Sequence, residues 1–193
     1  LALAQRFPQG LQTPIPDQLR EVIETLLKFH PGSDESEIIR AFQTADYLHR
    51  AQNRKSGEQY ITHPIAVAGL LADLGMTAST LIAALLHDTV EDTDTTIETI
   101  QNLFGFKVAQ GVWFLTKCPD FVGNRAERKL LCETRLAQAP EIVKIIKNCD
   151  MYHNSLSIEE HDPNFYTLFK KETASLLTAM KIDLFSELEN MPN

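Results

Sequence analysis

The stretch LIAALLHDTVED, residues 81–92, decides the fold of this chain and points to its chemistry. Its first six residues are apolar, and such a run predicts a helix that is buried on every side. Four polar side chains end it: His87, Asp88, Glu91 and Asp92. On one continuous helix over 77–92, residues four apart stack, so His87 would lie over Glu91 and Asp88 over Asp92. Buried ionisable groups need a partner charge, and a divalent metal would supply it.

The adjacent pair His87 and Asp88 is interpreted either as a pair of metal ligands or as a structural or capped pair. Further ligands could come from His63, which ends a polar loop, and from Asp150, which interrupts the apolar stripe of a later helix. His153, one turn after Asp150, is interpreted as packing or support for the ligands. Two imidazoles with two carboxylates suit Mn²⁺, Fe²⁺ or Zn²⁺ better than a metal that selects thiolates.

Every clear hydrophobic period in the chain is near 3.6 residues, which predicts an all-α fold. We expect a single domain over 1–193, because no linker, repeat or low-complexity segment interrupts the pattern. Residues 1–16, punctuated by prolines, are predicted to be irregular. Asp34 is predicted to cap a helix with Glu37, and Thr95 another with Glu98. The remaining predicted helices cover 17–29, 64–75, 106–117, 125–138 and 140–160, with one long C-terminal helix within 164–190.

Composition excludes several classes of function. The chain has 193 residues and a formal charge of −8, which argues against broad binding of nucleic acid because that needs a basic face. No apolar run approaches the roughly 20 residues that span a bilayer, so no membrane partner is expected. Cys118, Cys132 and Cys149 form no CxxC motif, which favours a reducing compartment and a cytoplasmic location. Nothing resembles a secretory signal.

Four motifs occur in a fixed order along the chain. They are RKSGEQYITHP at 54–64, AALLHDTVEDT at 83–93, FGFKVA at 104–109 and IKNCDMYHN at 146–154. This ordered set resembles the HD hydrolase domain of the RelA/SpoT alarmone enzymes, and the resemblance covers residues 40–158. The spacing within 125–154 is similar to that of the stand-alone small alarmone hydrolases.

The resemblance implies a reaction and a set of site residues. The reaction is metal-dependent hydrolysis of the 3′-diphosphate of (p)ppGpp, a small nucleotide, to GDP or GTP and pyrophosphate. One Mn²⁺ ion would be held by His63, His87, Asp88 and Asp150. Glu91 and Asp92 match the pair that orients and deprotonates the attacking water. The nucleotide would be contacted by Arg54, Lys55, Ser56, Asn154 and Ser157.

Departures from the family pattern leave the substrate open. Met151 and Leu156 stand where the family usually has arginines, and Gln59 replaces a common proline. One alternative is therefore an HD phosphohydrolase for another nucleotide, such as an adenosine alarmone or another 3′- or 2′-phosphorylated nucleotide. A second alternative is a regulatory module that binds an alarmone without cleaving it. The sequence also leaves open a homo-oligomer, and whether the chain is a piece of a longer protein.

Overall fold

A computed structural model describes residues 13–118 and 123–190 of the chain. The described residues are built from helices, with one isolated bridge between Asn53 and Gln59. The all-α prediction is confirmed. In chain order the helices are α1 (Asp17–Phe29), α2 (Glu35–His49), α3 (Thr62–Asp73), α4 (Ala78–Leu85), α5 (Thr89–Asp92), α6 (Ile97–Leu115), α7 (Arg125–Ala137), α8 (Glu141–His161), α9 (Pro163–Met180) and α10 (Leu184–Glu189).

The chain divides into two compact units, residues 1–113 and 114–193. In the first unit, α1 packs on α3, α3 on α4, and α2 on both α4 and α5. The apolar run that opens the deciding stretch lies in this core, since Leu81, Leu85 and Leu86 are fully buried. The polar residues that begin at His87 therefore follow directly after a buried segment of the core. A single domain over 1–193 stays a prediction.

In the second unit, α8 packs against α9 and α10, and α7 packs against α9. The side chain of Asn148, fully buried in α8, holds two of these helices together. Its Oδ1 accepts a hydrogen bond from the Phe185 N–H at 2.9 Å, while its Nδ2 donates to the Lys144 carbonyl at 2.8 Å. Both polar atoms of the amide are thus satisfied, as burial requires.

Helix starts follow the capping rules, although one predicted cap is misplaced. The Asp34 carboxylate accepts from the Ser36 N–H at 2.9 Å, which confirms it as the cap of α2. The predicted cap at Thr95 is wrong, because α6 begins at Ile97 and the Thr96 Oγ1 accepts from the Thr99 N–H. The N–H of Thr95 instead donates to the Thr93 Oγ1 at 3.2 Å.

The prediction of one long C-terminal helix within 164–190 is wrong, because two helices, α9 and α10, occupy this range. Lys181 adopts φ 57°, a left-handed conformation that ends α9. The Asp183 carboxylate then accepts from the Ser186 N–H at 2.9 Å and starts α10. Gly105, directly before the helix predicted over 106–117, has φ 82° and kinks α6 at that point.

Part of the irregular segment predicted over 1–16, namely residues 1–12, lies outside the described residues, as do residues 119–122. Across the part of the chain that is described, no helix is both long and apolar enough to cross a membrane.

Candidate metal centre

The polar residues of the deciding stretch lie at a break between two helices. Helix α4 ends at Leu85 and α5 begins at Thr89, so the predicted continuous helix over 77–92 is wrong. Side chains take the backbone acceptors there, because His87 Nδ1 bonds to the Ala84 carbonyl at 2.7 Å. The Thr89 hydroxyl donates to the Leu86 carbonyl at 2.6 Å. Such local bonds compete with helical ones and turn the chain at His87 and Asp88.

The break brings three candidate ligands together. His63, from the first turn of α3, joins His87 and Asp88, and one ligand atom of each lies within 4.8 Å of the others. The Asp88 Oδ2 is 3.0 Å from His87 Nε2 and 3.8 Å from His63 Nε2. Both imidazoles are buried, with 1% and 3% of their side chains exposed, whereas Asp88 is partly exposed. This cluster has two buried nitrogen donors and one carboxylate that solvent can reach.

The proton positions explain why this cluster calls for a cation. A carbonyl oxygen only accepts, so His87 Nδ1 carries the proton of its bond to Ala84, and in the neutral ring Nε2 then presents its lone pair. That lone pair faces a carboxylate oxygen at 3.0 Å. Two lone pairs at this distance repel each other unless a proton or a metal ion lies between them. The donor set of two imidazoles and a carboxylate fits a borderline divalent metal.

The alternative interpretation of His87 and Asp88 as a capped pair finds no support. Asp88 occupies the N-cap position of α5, but its side chain makes no capping hydrogen bond. Its carboxylate points to the imidazoles instead. The geometry therefore favours the metal-ligand interpretation over the capped one.

Tyr60 contacts this cluster, and the sequence analysis assigned it no role. Its hydroxyl donates to the Asp88 Oδ2 at 2.5 Å and lies 3.2 Å from the Asp92 Oδ2. The Tyr60 ring stacks on His49 with centroids 4.6 Å apart and meets His63 edge-on at 6.2 Å. The signal available in the sequence was the position of Tyr60 in the RKSGEQY motif, three residues before His63.

The two predicted water-activating residues lie in the short helix α5, directly after the cluster. Glu91 is half-buried and Asp92 is exposed. The Asp92 N–H donates to the Asp88 carbonyl at 2.9 Å, which keeps one helical link across the break. Gln52 Nε2 donates to the Asp92 carbonyl at 2.8 Å. The structure thus places Asp92 beside the cluster through Tyr60, while the catalytic role of the pair stays a prediction.

The first group of predicted nucleotide-binding residues, Arg54 to Ser56, forms a tight turn. The Arg54 N–H donates to the Glu58 carbonyl at 2.8 Å, and the Gly57 N–H donates back to the Arg54 carbonyl. Gly57 has φ 91°, which only glycine adopts without strain. Lys55 is exposed, and the Ser56 hydroxyl donates to the Glu58 carboxylate at 3.2 Å. Contact with a nucleotide stays a prediction for all three.

The remaining predicted residues lie on α8 in the second unit. The Asp150 carboxylate is buried and accepts from Lys147 Nζ at Oδ2 and from Asn154 Nδ2 at Oδ1, both at 2.7 Å. Ser157 and His153 are half-buried, and the Ser157 carbonyl bonds to His161 Nδ1 at 3.1 Å. The roles of Asp150 as a fourth ligand and of Asn154 and Ser157 in nucleotide binding stay predictions.

The fold and the cluster agree with the family match. A family model described as HD domain matches residues 41–176, well over half of the chain. This chain belongs to the HD domain family. HD domains bind divalent metal ions, and among the described residues the group formed by His63, His87 and Asp88 could hold one.

Curated relatives narrow the resemblance to one branch of that family. Over 140 residues the chain is 46% identical to a guanosine-3′,5′-bis(diphosphate) 3′-pyrophosphohydrolase of Aquifex aeolicus, which covers 70% of this chain and 20% of the relative. It is 38% identical over 183 residues to a probable GTP pyrophosphokinase of Mycobacterium leprae, covering 92% of this chain and 23% of the relative. The chain spans about a fifth of the length of these relatives.

One solved structure matches this chain over most of its own length. It is described as a metazoan ortholog of SpoT that hydrolyzes ppGpp and plays a role in starvation responses. The TM-score is 0.72 at 26% identity, and the match covers 81% of this chain and 94% of that one. Together these matches confirm the resemblance to the RelA/SpoT enzymes.

Proposed function

We propose that this chain is a metal-dependent hydrolase that removes the 3′-diphosphate of (p)ppGpp, giving GDP or GTP and pyrophosphate. The observation that carries the proposal is the cluster of His63, His87 and Asp88, with ligand atoms within 4.8 Å of one another. The relatives support the substrate, since one is named as a ppGpp 3′-pyrophosphohydrolase and a structural neighbour is described as hydrolysing ppGpp.

The chemistry of the reaction assigns a task to each part of the site. When bound at the cluster, a divalent ion supplies Lewis acidity, which lowers the pKa of water and offsets charge on a phosphoryl oxygen. The pair of Glu91 and Asp92, of which Asp92 is exposed beside the cluster, orients the attacking water and accepts one proton from it. The water oxygen forms a bond to the phosphorus on the ribose 3′ oxygen. The bond between that phosphorus and the 3′ oxygen breaks, and the 3′ oxygen gains a proton.

The finer assignments belong to the same proposal. We assign one Mn²⁺ ion to the site, with Asp150 as its fourth ligand, because imidazole and carboxylate donors suit this metal. Arg54, Lys55, Ser56, Asn154 and Ser157 are assigned to the nucleotide. A cytoplasmic location fits the three free cysteines, Cys118, Cys132 and Cys149, which a reducing compartment would maintain.

Product analysis with purified protein tests the proposal. The protein is stripped of metal with a chelator, and ppGpp is added with Mn²⁺, Mg²⁺, Zn²⁺ or no metal. We expect GDP and pyrophosphate in equal amounts, fastest with Mn²⁺ and absent without metal. Release of inorganic phosphate, or equal turnover in the presence of chelator, would show that the proposed reaction is wrong.

A substrate panel separates the alternatives that the sequence leaves open. Met151 and Leu156, which stand where the family usually has arginines, make adenosine alarmones and other 3′-phosphorylated nucleotides the appropriate competitors. Faster turnover of one of these would identify an HD phosphohydrolase with another substrate. Tight binding of ppGpp without turnover in any metal would identify a regulatory module.

A further inference from the structure

The phenol group of Tyr60 lies close to two carboxylates, those of Asp88 and Asp92, which have different roles in the proposed reaction. The Tyr60 hydroxyl is 2.5 Å from the Oδ2 of Asp88, a member of the metal cluster. It is 3.2 Å from the Oδ2 of Asp92, the proposed proton acceptor. Both distances are within hydrogen-bonding range. Tyr60 therefore connects the two carboxylates through a single oxygen atom.

The proton count makes this connection asymmetric. A phenol has one proton to donate, so it bonds strongly to only one carboxylate at a time, here to Asp88 at the shorter distance. The accepting Oδ2 is the same atom that faces His87 Nε2 at 3.0 Å and His63 Nε2 at 3.8 Å. The hydrogen bond thus fixes the direction of the oxygen that faces both imidazoles.

The surroundings of Tyr60 hold its ring and its backbone in place. The ring stacks on His49, which is buried and whose Nδ1 donates to the Gln52 side-chain oxygen at 2.7 Å. The Tyr60 N–H donates to the Gln52 carbonyl at 3.1 Å. The side-chain nitrogen of Gln52 donates to the Asp92 carbonyl at 2.8 Å. Gln52 therefore anchors the backbone of Tyr60 and the backbone of Asp92.

We propose that Tyr60 is a positioning residue, whose hydroxyl orients Asp88 toward the two imidazoles for metal binding and holds the Asp92 carboxylate beside it. Supporting residues that hydrogen-bond to metal ligands restrict their rotation, and their loss typically lowers metal affinity or activity by about 10- to 100-fold. The part of this inference that concerns Asp92 rests on the proposed hydrolase function. The part that concerns Asp88 requires only that the cluster binds metal.

The test is the variant Tyr60→Phe, which keeps the stacked ring and removes the hydroxyl. Metal affinity is measured by titrating Mn²⁺ into chelator-stripped protein and following the free ion by electron paramagnetic resonance. We expect the Mn²⁺ dissociation constant to rise about 10-fold or more. With ppGpp at saturating metal, we expect kcat to fall while the KM for ppGpp is unchanged, because Tyr60 is assigned to the carboxylates.

Tyr166→Phe is the matched control, since it removes a phenol hydroxyl from α9 in the second unit. Its Mn²⁺ affinity should equal that of the wild type. The inference is overturned if Tyr60→Phe binds Mn²⁺ as tightly as the wild type, which would limit Tyr60 to ring packing. It is also overturned if both variants lose the same affinity.

A measurement on the unmutated protein covers the case in which Tyr60→Phe folds poorly. Tyrosine labelled with ¹³C at Cζ gives one signal for each of the four tyrosines. Titration with the diamagnetic ion Zn²⁺ should move the Tyr60 signal, because a metal on Asp88 changes the acceptor of its hydrogen bond, and leave the Tyr166 signal in place. An unmoved Tyr60 signal at saturating metal would overturn the inference.

The outcomes distinguish this inference from the proposed function. A protein that binds Mn²⁺ and hydrolyses ppGpp, but whose Tyr60→Phe variant is unaltered in both, retains the function and loses the inference. A protein that never hydrolyses ppGpp, but whose Mn²⁺ affinity falls in Tyr60→Phe, loses the function and retains the role of Tyr60 toward Asp88.

Discussion

Asp88 in the first unit and Asp150 in the second are both predicted metal ligands, but their immediate partners differ. The contacts described for Asp88 are two imidazole nitrogens and a phenol, none of which carries an obligatory positive charge. Asp150 accepts from the Lys147 ammonium group and the Asn154 amide on its own helix. A lysine on the same helix therefore offsets the charge of Asp150, whereas two imidazoles and a phenol face Asp88 in the contacts given above.

The two carboxylates differ in how much an external cation can contribute. Around Asp88, carboxylate and imidazole lone pairs face each other, so a bound cation relieves repulsion at the centre of the cluster. Around Asp150, Lys147 already supplies the positive charge, and the pair lies one turn apart along α8. We therefore expect metal binding to depend most strongly on the first unit, and the stability of the second unit to depend on its own ion pair.

The largest expected effect comes from Asp88→Asn, which keeps the shape of the side chain and removes its charge. We expect the Mn²⁺ affinity to fall by more than the ~10- to 100-fold typical of losing a supporting residue, and ppGpp turnover to become undetectable. Calorimetric titration of Mn²⁺ measures the first effect and product analysis the second. Asp94→Asn, an exposed acid six residues on, should behave as the wild type. Unchanged Mn²⁺ binding in Asp88→Asn would remove the metal site from this cluster.

The next largest effect is expected from removing the two proposed water-activating carboxylates, which should impair turnover but not metal binding. In the double variant Glu91→Gln with Asp92→Asn, we expect kcat to fall by about 10²- to 10⁴-fold, the usual contribution of a general base. The Mn²⁺ affinity should change little, because neither residue belongs to the three-donor cluster. Glu98→Gln, an exposed acid at the start of α6, is the control. Full turnover in the double variant would show that the water is activated by another group.

Part of the candidate site could be predicted from the sequence, and part of it could not. His87 and Asp88 were accessible from the sequence because polar groups at the end of an apolar run are costly without a function. His63 was accessible as a candidate because it ends the polar loop before α3. The geometry was not accessible from periodicity, which continued the helix through His87. That break depends on a local competition, in which His87 Nδ1 and the Thr89 hydroxyl take backbone carbonyls.

Tyr60 was missed for a different physical reason. Its hydroxyl reaches an oxygen of Asp88, 28 residues further along the chain, and no local pattern encodes that contact. The fold class followed from the 3.6-residue period, and the cap at Asp34 followed from local hydrogen bonding. The break at Lys181 could not be predicted, since a lysine at φ 57° has no sequence signal of the kind that glycine gives.

A smaller effect is expected on the stability of the second unit, where Lys147 pairs with Asp150. Lys147→Met leaves the buried Asp150 carboxylate without its ammonium partner, and we expect the free energy of unfolding to fall by about 1–3 kcal/mol. Urea unfolding in the presence of chelator measures it. Lys144→Met, one turn earlier on α8 and with no ion pair among the described residues, is the matched control. Equal stability of the two variants would show that Lys147 does not balance Asp150.

The double variant Lys147→Met with Asp150→Asn measures whether the two side chains depend on each other. Removing both charges takes away the uncompensated carboxylate, so the double variant should recover part of the stability that Lys147→Met loses. The recovered fraction measures the coupling between the two side chains. A purely additive result would contradict the interpretation that Asp150 depends on its own helix for charge.

The smallest effect is expected at Asp34. Its carboxylate, like that of Asp150, accepts hydrogen bonds from a residue of the helix beside it, but Asp34 is exposed to solvent. Hydrogen bonds from the hydroxyl and the N–H of Ser36 hold the pKa of Asp34 below its ordinary value of 3.8. A lowered pKa means that the folded state favours the ionised form. The contribution to stability is therefore present above pH 3.8 and is lost as the pH falls through the lowered pKa.

We accordingly expect Asp34→Ala to lower the urea midpoint at pH 7 by less than Lys147→Met does, and the difference from the wild type to shrink toward pH 3. Ser36→Ala serves as the control, because it keeps the backbone N–H that Asp34 caps and loses only the hydroxyl bond at 2.6 Å. Its effect should lie between those of the wild type and Asp34→Ala. A deficit in Asp34→Ala that grows toward acid pH would contradict the lowered pKa of Asp34, because it would mean that the protonated carboxyl stabilises the fold more than the ionised one.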